Sequence, residues 1–215
     1  MRMRKKKNGA ERLLACAHLL CDRPEEPIAD AQADFGREAE LHLEIGCGKG
    51  GFACGMAAAH PQVCFYAMER VHDVMVLAAE RAEREKDARP DNLRFILAGA
   101  ADLPLYFAEG SLSRIYLNFS DPWPKKGYAK RRLTHRNFLR TYFALLREGG
   151  ELWMKTDNVG LFDFSLEELQ AMGLTPYFVT RDFHATPEAA HNVMTEYETN
   201  FSSQGIPICS LRVKK

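Results

Sequence analysis

Glu44-Ile45-Gly46-Cys47-Gly48-Lys49-Gly50-Gly51-Phe52 is the stretch on which the fold turns. A short apolar strand, Leu41–Ile45, runs into it, and a helical pattern, Gly50–Ala59, leaves it. Glycines this close together let the backbone turn sharply and let a ligand approach where a Cβ would otherwise stand. Working outward, the chain alternates. Val63–Glu69 reads as a strand. Val71–Lys86 reads as a helix with Val71, Val74, Met75, Ala78, Ala79 and Ala82 on one face. Leu93–Leu97, Ser113–Phe119 and Glu151–Thr156 read as further strands, and Thr134–Arg147 and Leu161–Met172 as helices. Strands near Thr175–Thr180, Tyr197–Ser202 and Ile208–Val213 complete the pattern. Alternation of this kind predicts an α/β fold: a doubly wound, mostly parallel sheet of about seven strands, the last ones partly antiparallel, with helices on both faces. In such a sheet the ligand lies beyond the carboxyl ends of the strands, where strand order reverses.

The glycines themselves read in two ways. Gly46, Gly48 and Gly51 satisfy the G-x-G-x-x-G dinucleotide fingerprint, whereas Gly46, Gly48 and Gly50 satisfy the G-x-G-x-G of enzymes that bind S-adenosylmethionine. A tight strand-to-helix turn with no ligand is the third option. Glu44 separates the first two. A carboxylate there repels a pyrophosphate but attracts an ammonium group. Glu69, at the end of the second strand, suits a carboxylate that accepts from both ribose hydroxyls, and is otherwise a surface acid.

The fourth strand leads into Ser120-Asp121-Pro122-Trp123-Pro124-Lys125-Lys126-Gly127-Tyr128-Ala129-Lys130-Arg131-Arg132. Two prolines stiffen the exit from the strand and hold Asp121 above the reversal point. Five cations follow in Lys125–Arg132 with no acid among them. Such a stripe is either a solvated loop or a grip for phosphates. The fifth strand ends in Lys155-Thr156-Asp157-Asn158. As a neighbour of the fourth strand it brings Asp157 toward Asp121, unless Asp157 serves as the cap of the next helix.

These motifs together resemble the bacterial tRNA (guanine-N7-)-methyltransferases, a branch of the class I S-adenosylmethionine-dependent enzymes with a Rossmann-like methyltransferase sheet. The resemblance rests on EIGCGKGGF at 44–52, FSDPWPKKGYAKRRL at 119–133, KTDN at 155–158 and TEYE at 195–198, and spans about 41–201. It implies S-adenosylmethionine as cofactor, contacted by Glu44, Gly46, Gly48, Glu69, Gly99 and Asp121, with Asp121 also catalytic. It implies contacts to the target guanosine from Lys125, Asp157, Thr195, Glu196, Tyr197 and Glu198, and to the RNA backbone from Gly127, Tyr128, Ala129, Lys130, Arg131 and Arg132. The partner implied is tRNA, methylated on a guanine of the variable loop. Two departures stand out. The family carries Arg-His where this chain has Gly127-Tyr128. Its polar residue beyond the third strand is replaced by Ala98-Gly99-Ala100-Ala101, which leaves backbone groups at Gly99, or Asp102, to meet an adenine.

Composition agrees with a folded protein of 215 residues, 46% hydrophobic and 27% charged. Residues 1–38 read as a basic arm, a helix and a loose connector from 22 to 38; residues 39–215 form the methyltransferase domain. No apolar run reaches the roughly 18 residues that span a bilayer, and Leu13–Cys21 lacks a cleavage site. A cytoplasmic protein, monomer or homodimer, is expected. The six cysteines show neither a CxxC pair nor a histidine at finger spacing, so reduced thiols and no metal are expected. The 29 cations balance the 29 acids, which excludes a uniformly basic binder. The balance is uneven along the chain. Met1–Lys7 and Lys125–Arg132 hold ten cations and no acid, and the remaining 200 residues carry a net charge of −10.

Overall fold

The computed structural model describes residues 6–88 and 91–215. Of the basic arm, Met1–Lys5 therefore lie outside the described residues. The chain opens with helices α1 (Gly9–Leu14) and α2 (Gln32–Phe35), then alternates: β1 (Glu40–Ile45), α3 (Gly51–Ala59), β2 (Val63–Met68), α4 (His72–Arg84), β3 (Leu93–Ile96) and β4 (Leu112–Asn118). Helix α5 (Arg136–Leu145), β5 (Leu146–Thr156), α6 (Val159–Ala171), β6 (Phe178–Thr180), α7 (Glu196–Ser202) and β7 (Cys209–Lys214) follow. The seven strands form one sheet in the order β3-β2-β1-β4-β5-β7-β6. Strands β1 to β5 run parallel, and β7 lies antiparallel between β5 and β6. The expected fold is thus present, with its reversal point between β1 and β4.

The faces of the sheet differ in chemistry. On one, Leu41, Leu43, Ile115, Leu117, Leu152 and Met154 meet helices α5 and α6 in a continuous aliphatic core. On the other, alternate residues of the central strands are polar: His42 and Glu44 on β1, Tyr116 and Asn118 on β4, Trp153 and Lys155 on β5. Period-2 alternation sends these two sets to opposite faces. Helices α3 and α4 cover only part of this second face, packing Phe52, Met75, Ala78 and Ala79 against Phe65, Ala67 and Phe95.

Three expectations are corrected. Tyr197–Ser202 is part of a helix, not a strand. Thr195 caps it, accepting from the Glu198 amide at 2.9 Å, and Glu198 returns toward the Thr195 amide at 3.5 Å. This is a capping box, whose T-x-x-E signature outweighs the strand preference of the aromatic residues. Strand β5 begins at Leu146 rather than Glu151, because the Gly149-Gly150 pair bulges the strand instead of ending it: pairing slips from Leu112↔Leu146 to Arg114↔Glu151. Residues 22–38 are not loose. Ile28 and Ala31 are buried in the aliphatic core, the Ile28 amide donates to the Tyr106 carbonyl, and the Tyr66 hydroxyl donates to Asp34 at 2.6 Å. Helix α1 packs on α4, tied by Arg12 and Glu80 at 2.7 Å. The Lys6 amide donates to Asp73 in the first turn of α4 at 2.8 Å.

Candidate active site

Gly46, Gly48 and Gly50 have φ of 81°, 56° and 77°, a region where a Cβ is strained. Gly51 is different. It is the first residue of α3, and a Cβ there would strike the Arg81 guanidinium and the Glu196 carboxylate. The loop's own geometry therefore follows G-x-G-x-G, and the last glycine of the literal G-x-G-x-x-G serves packing. The loop borders a cavity of about 340 Å³ whose lining includes Glu44, Gly46, Gly48, Phe52, Val74 and Asn118.

Glu44 lies in this cavity's wall and is 3% exposed. Asn118, the last residue of β4, donates its side-chain amide to Oε1 at 2.9 Å. Oε2 is buried with no partner. Burial pushes the Glu44 carboxyl up to about 7, against the Asn118 hydrogen bond and the nearby Lys155 charge, which pull it down. A half-satisfied carboxylate buried in a cavity's wall is costly unless a ligand supplies the missing donor. Glu69 stands on the other side of the loop, its Oε2 accepting from the Gly48 amide at 3.2 Å and its Oε1 from the Val71 amide at 2.9 Å.

Helix α7 roofs the cavity with Thr195, Glu196, Tyr197 and Asn200. Phe119 stacks beneath Tyr197 and Phe201 at ring distances of 6.4 and 6.2 Å. Glu196 is bound by Arg81 of α4. Glu198 faces the other way. It is fully buried and paired with Lys155 of β5 at 2.5 Å, with Asn192 and His184 on its second oxygen. Of the TEYE segment, Thr195, Glu196 and Tyr197 thus border the cavity and Glu198 does not.

The loop after β4 carries Asp121 with its side chain 72% exposed, 3.8 Å from Arg70. Asp121 is outside the cavity's lining, two residues beyond Phe119, which is in it. Two non-glycine residues with positive φ bracket it, Phe119 at 51° and Trp123 at 41°. The Phe119 amide donates to the Lys155 carbonyl at 2.9 Å, and Arg132 donates to the carbonyls of Pro122 and Trp123 at 2.9 and 3.1 Å. Arg132 is thereby committed to holding the loop, stacked on Phe164 at 4.3 Å. Lys125, Lys126, Lys130 and Arg131 are exposed, and none has a carboxylate within 4 Å among the described residues. Gly127 and Ala129 lie in the 3-10 turn between them, and Arg131 covers the Tyr128 and Trp123 rings at 4.7 and 5.0 Å. The cap of α6 is Asn158, which accepts from the Leu161 amide at 2.8 Å. Asp157 is not the cap and is only half-buried at the end of β5. Gly99 follows β3, its amide donating to Asp102 at 3.0 Å, so Asp102 is occupied by its own turn. Two residues with a clear part in this arrangement, Asn118 and Lys155, escaped the sequence reading of roles.

No helix of the described residues is long and apolar enough to cross a membrane, and no cluster of three or more His, Cys, Asp or Glu among them is poised for a metal ion. None of the six cysteines forms a disulfide among the described residues.

The strand order, the glycine loop and the acids at its edges define a methyltransferase of the class I, Rossmann-like architecture. A family model described as a putative methyltransferase matches residues 38–211. The tRNA (guanine-N(7)-)-methyltransferases of Lactococcus lactis subsp. cremoris strain SK11 and of Lactococcus lactis subsp. lactis strain IL1403 are each 42% identical to it over 215 residues, covering 100% of this chain and 98% of theirs. The chain belongs to this family. Among solved structures, the 16S rRNA methyltransferase KamB superposes with a TM-score of 0.64 at 14% identity, over 88% of this chain and 98% of that one. An antibiotic-related methyltransferase superposes at 0.62, also at 14% identity, over 91% and 99%. These two share the fold.

Proposed function

We propose that this protein transfers a methyl group from S-adenosylmethionine to N7 of a guanine in the variable loop of tRNA. The observation that carries the reading is Glu44, a buried carboxylate with one unpartnered oxygen in the wall of a glycine-bordered cavity. That cavity fits the cofactor. Oε2 of Glu44 offers an acceptor for its ammonium, Glu69 offers one for its ribose hydroxyls, Gly46 and Gly48 present bare backbone, and the Gly99 backbone lies beyond β3 for the adenine. Bound there, the cofactor supplies an electrophilic methyl group on a sulfonium.

Guanine N7 has a lone pair and no proton, so the chain need not provide a general base. Its residues have two tasks instead. Holding the base in line and excluding water can contribute roughly 7–11 kcal/mol. Lys125, Asp157 and the Thr195–Tyr197 turn are assigned that task, under the roof made by α7. Stabilising the positive charge that develops on the purine falls to Asp121, the proposed catalytic acid. The exposed, unpaired cations of Lys125–Arg131 support an RNA backbone as partner, with Gly127, Tyr128 and Ala129 shaping the strip and Arg132 bracing it. N7 lies in the deep, narrow major groove of A-form RNA, so a guanine in an irregular loop is the accessible target. A tRNA substrate implies a cytoplasmic location. The test is methyl transfer from labelled cofactor to bulk tRNA, followed by nucleoside analysis. N7-methylguanosine is the expected product, and its absence with an active cofactor-binding protein rejects the substrate.

A further inference from the structure

Lys155 has no part in the roles assigned so far, yet it sits at the joint of the site. Its side chain is 9% exposed. The ammonium donates to Glu198 at 2.5 Å, to the Asn192 side chain at 2.9 Å and to the Val193 carbonyl at 3.3 Å, which uses all three of its hydrogens. It lies 5.3 Å from the centre of the Phe52 ring, which borders the cofactor cavity, and 5.8 Å from that of Phe183. Glu198 is equally engaged. One oxygen takes Lys155 and the Thr195 amide, the other takes Asn192 and His184. Neither oxygen is open to a purine. A guanine could bind Glu198 only by breaking these contacts and leaving the Lys155 charge buried without a partner, which is strongly unfavourable.

The pair joins β5 to the first turn of α7. On the opposite flank Arg81 of α4 holds Glu196. Helix α7 is therefore pinned from both sides while Thr195, Glu196, Tyr197 and Asn200 face the cavity below. We propose that Lys155 and Glu198 are positioning residues that latch α7 as the roof over the cofactor, and that Glu198 acts on the reaction through Lys155 rather than by touching guanine. The inference rests on the cavity holding the cofactor, as in the proposed function.

The test uses the full chain with Lys155→Met, Glu198→Gln and the double variant. Affinity for S-adenosylhomocysteine is read by calorimetry, and KM for cofactor and for tRNA by turnover. A latch predicts that each single change weakens cofactor binding by about tenfold and that the double is no worse than the weaker single, since both remove one interaction. Lys155→Arg restores part of the affinity. If Glu198→Gln raises KM for tRNA while cofactor affinity holds, Glu198 touches the RNA and the latch is overturned. It is equally overturned if the variants lose thermal stability but bind S-adenosylhomocysteine as the wild type does. Should the buried variants fail to fold, Arg81→Gln tests the same roof from its partly exposed side. Cofactor affinity falls about threefold if the roof matters and is unchanged if it does not. Wild-type protein that binds S-adenosylhomocysteine without methylating tRNA defeats the substrate reading and leaves the latch standing. Wild-type protein that binds no cofactor defeats both.

Discussion

Asn118 and Glu44 lie on neighbouring strands, and the Asn118 amide holds one oxygen of the Glu44 carboxylate at 2.9 Å while the other is buried with no partner among the described residues. Burial raises this carboxyl from 4.5 to about 7. Asn118 and Lys155 favour its charged form, and Glu196 and Glu69 oppose it. A raised carboxyl keeps its proton longer in the folded than in the unfolded chain. The unliganded fold therefore gains stability from this group at low pH and loses it as pH rises from 4.5 through 7. Cofactor binding has the opposite sign, because an ammonium requires the ionised form. Apparent affinity should rise about tenfold between pH 6 and pH 8 and level off above. Calorimetry in buffers of different ionisation heat should register a proton released on binding near pH 6.5. Glu44→Gln should bind weakly at every pH, and a variant that kept the wild-type profile would remove Glu44 from this role.

Asp121 is exposed, and among the described residues its one ion pair is a long contact to Arg70, so its removal should cost the fold little. Asp121→Asn should leave the thermal midpoint within about 1 °C, as expected of a surface change. Loss of its charge should lower kcat about 10²-fold, the scale on which removing one transition-state stabiliser acts. Single-turnover methylation of tRNA measures it. Undiminished turnover would return Asp121 to the status of a surface acid.

The cations of the strip divide into two kinds. Lys125, Lys126, Lys130 and Arg131 have no carboxylate partner, so neutralising any one of them should weaken tRNA binding and reduce the salt slope by about 1. Arg132 spends its donors on the Pro122 and Trp123 carbonyls. Arg132→Ala should therefore change turnover and loop stability more than the salt slope. Filter binding across a salt series, beside kcat, separates them. Equal slopes for Arg132→Ala and Lys130→Ala would show that both meet phosphate.

Tyr142 of α5 is fully buried in the aliphatic core, and its hydroxyl has no hydrogen-bond partner. An unpaired buried polar group costs about 1–3 kcal/mol. Tyr142→Phe should keep the ring's packing and raise the thermal midpoint by a few degrees. Calorimetric unfolding at neutral pH reads the effect. A clear drop would mean that the hydroxyl is paired in solution.

The sheet and the glycine loop were legible because each rests on short-range signals: alternation of apolar periods, and glycines where the backbone takes positive φ. Of the residues singled out from the motifs, Glu44, Thr195, Glu196 and Tyr197 line one cavity, whereas Glu69 lies outside its lining. What escaped depends on partners distant in the chain. Nothing near Glu198 announces that it will be buried against Lys155, 43 residues away. Asn118 reads as the polar end of a strand until β1 brings Glu44 beside it. The α7 helix was hidden by β-like composition, although its capping signature was present at Thr195 and Glu198. Gly149-Gly150 reads as a break, and only the register of β4 on β5 turns it into a bulge.

Phe119 and Trp123 both adopt a backbone conformation that bulky residues avoid, at a cost of order 1–3 kcal/mol each. The segment between them is held at one end by the aromatic stack of Phe119 on α7 and at the other by Arg132. Glycine at position 119 or 123 would relieve that backbone strain. Helix α7, the roof of the cavity, therefore also holds the start of the loop that carries Asp121.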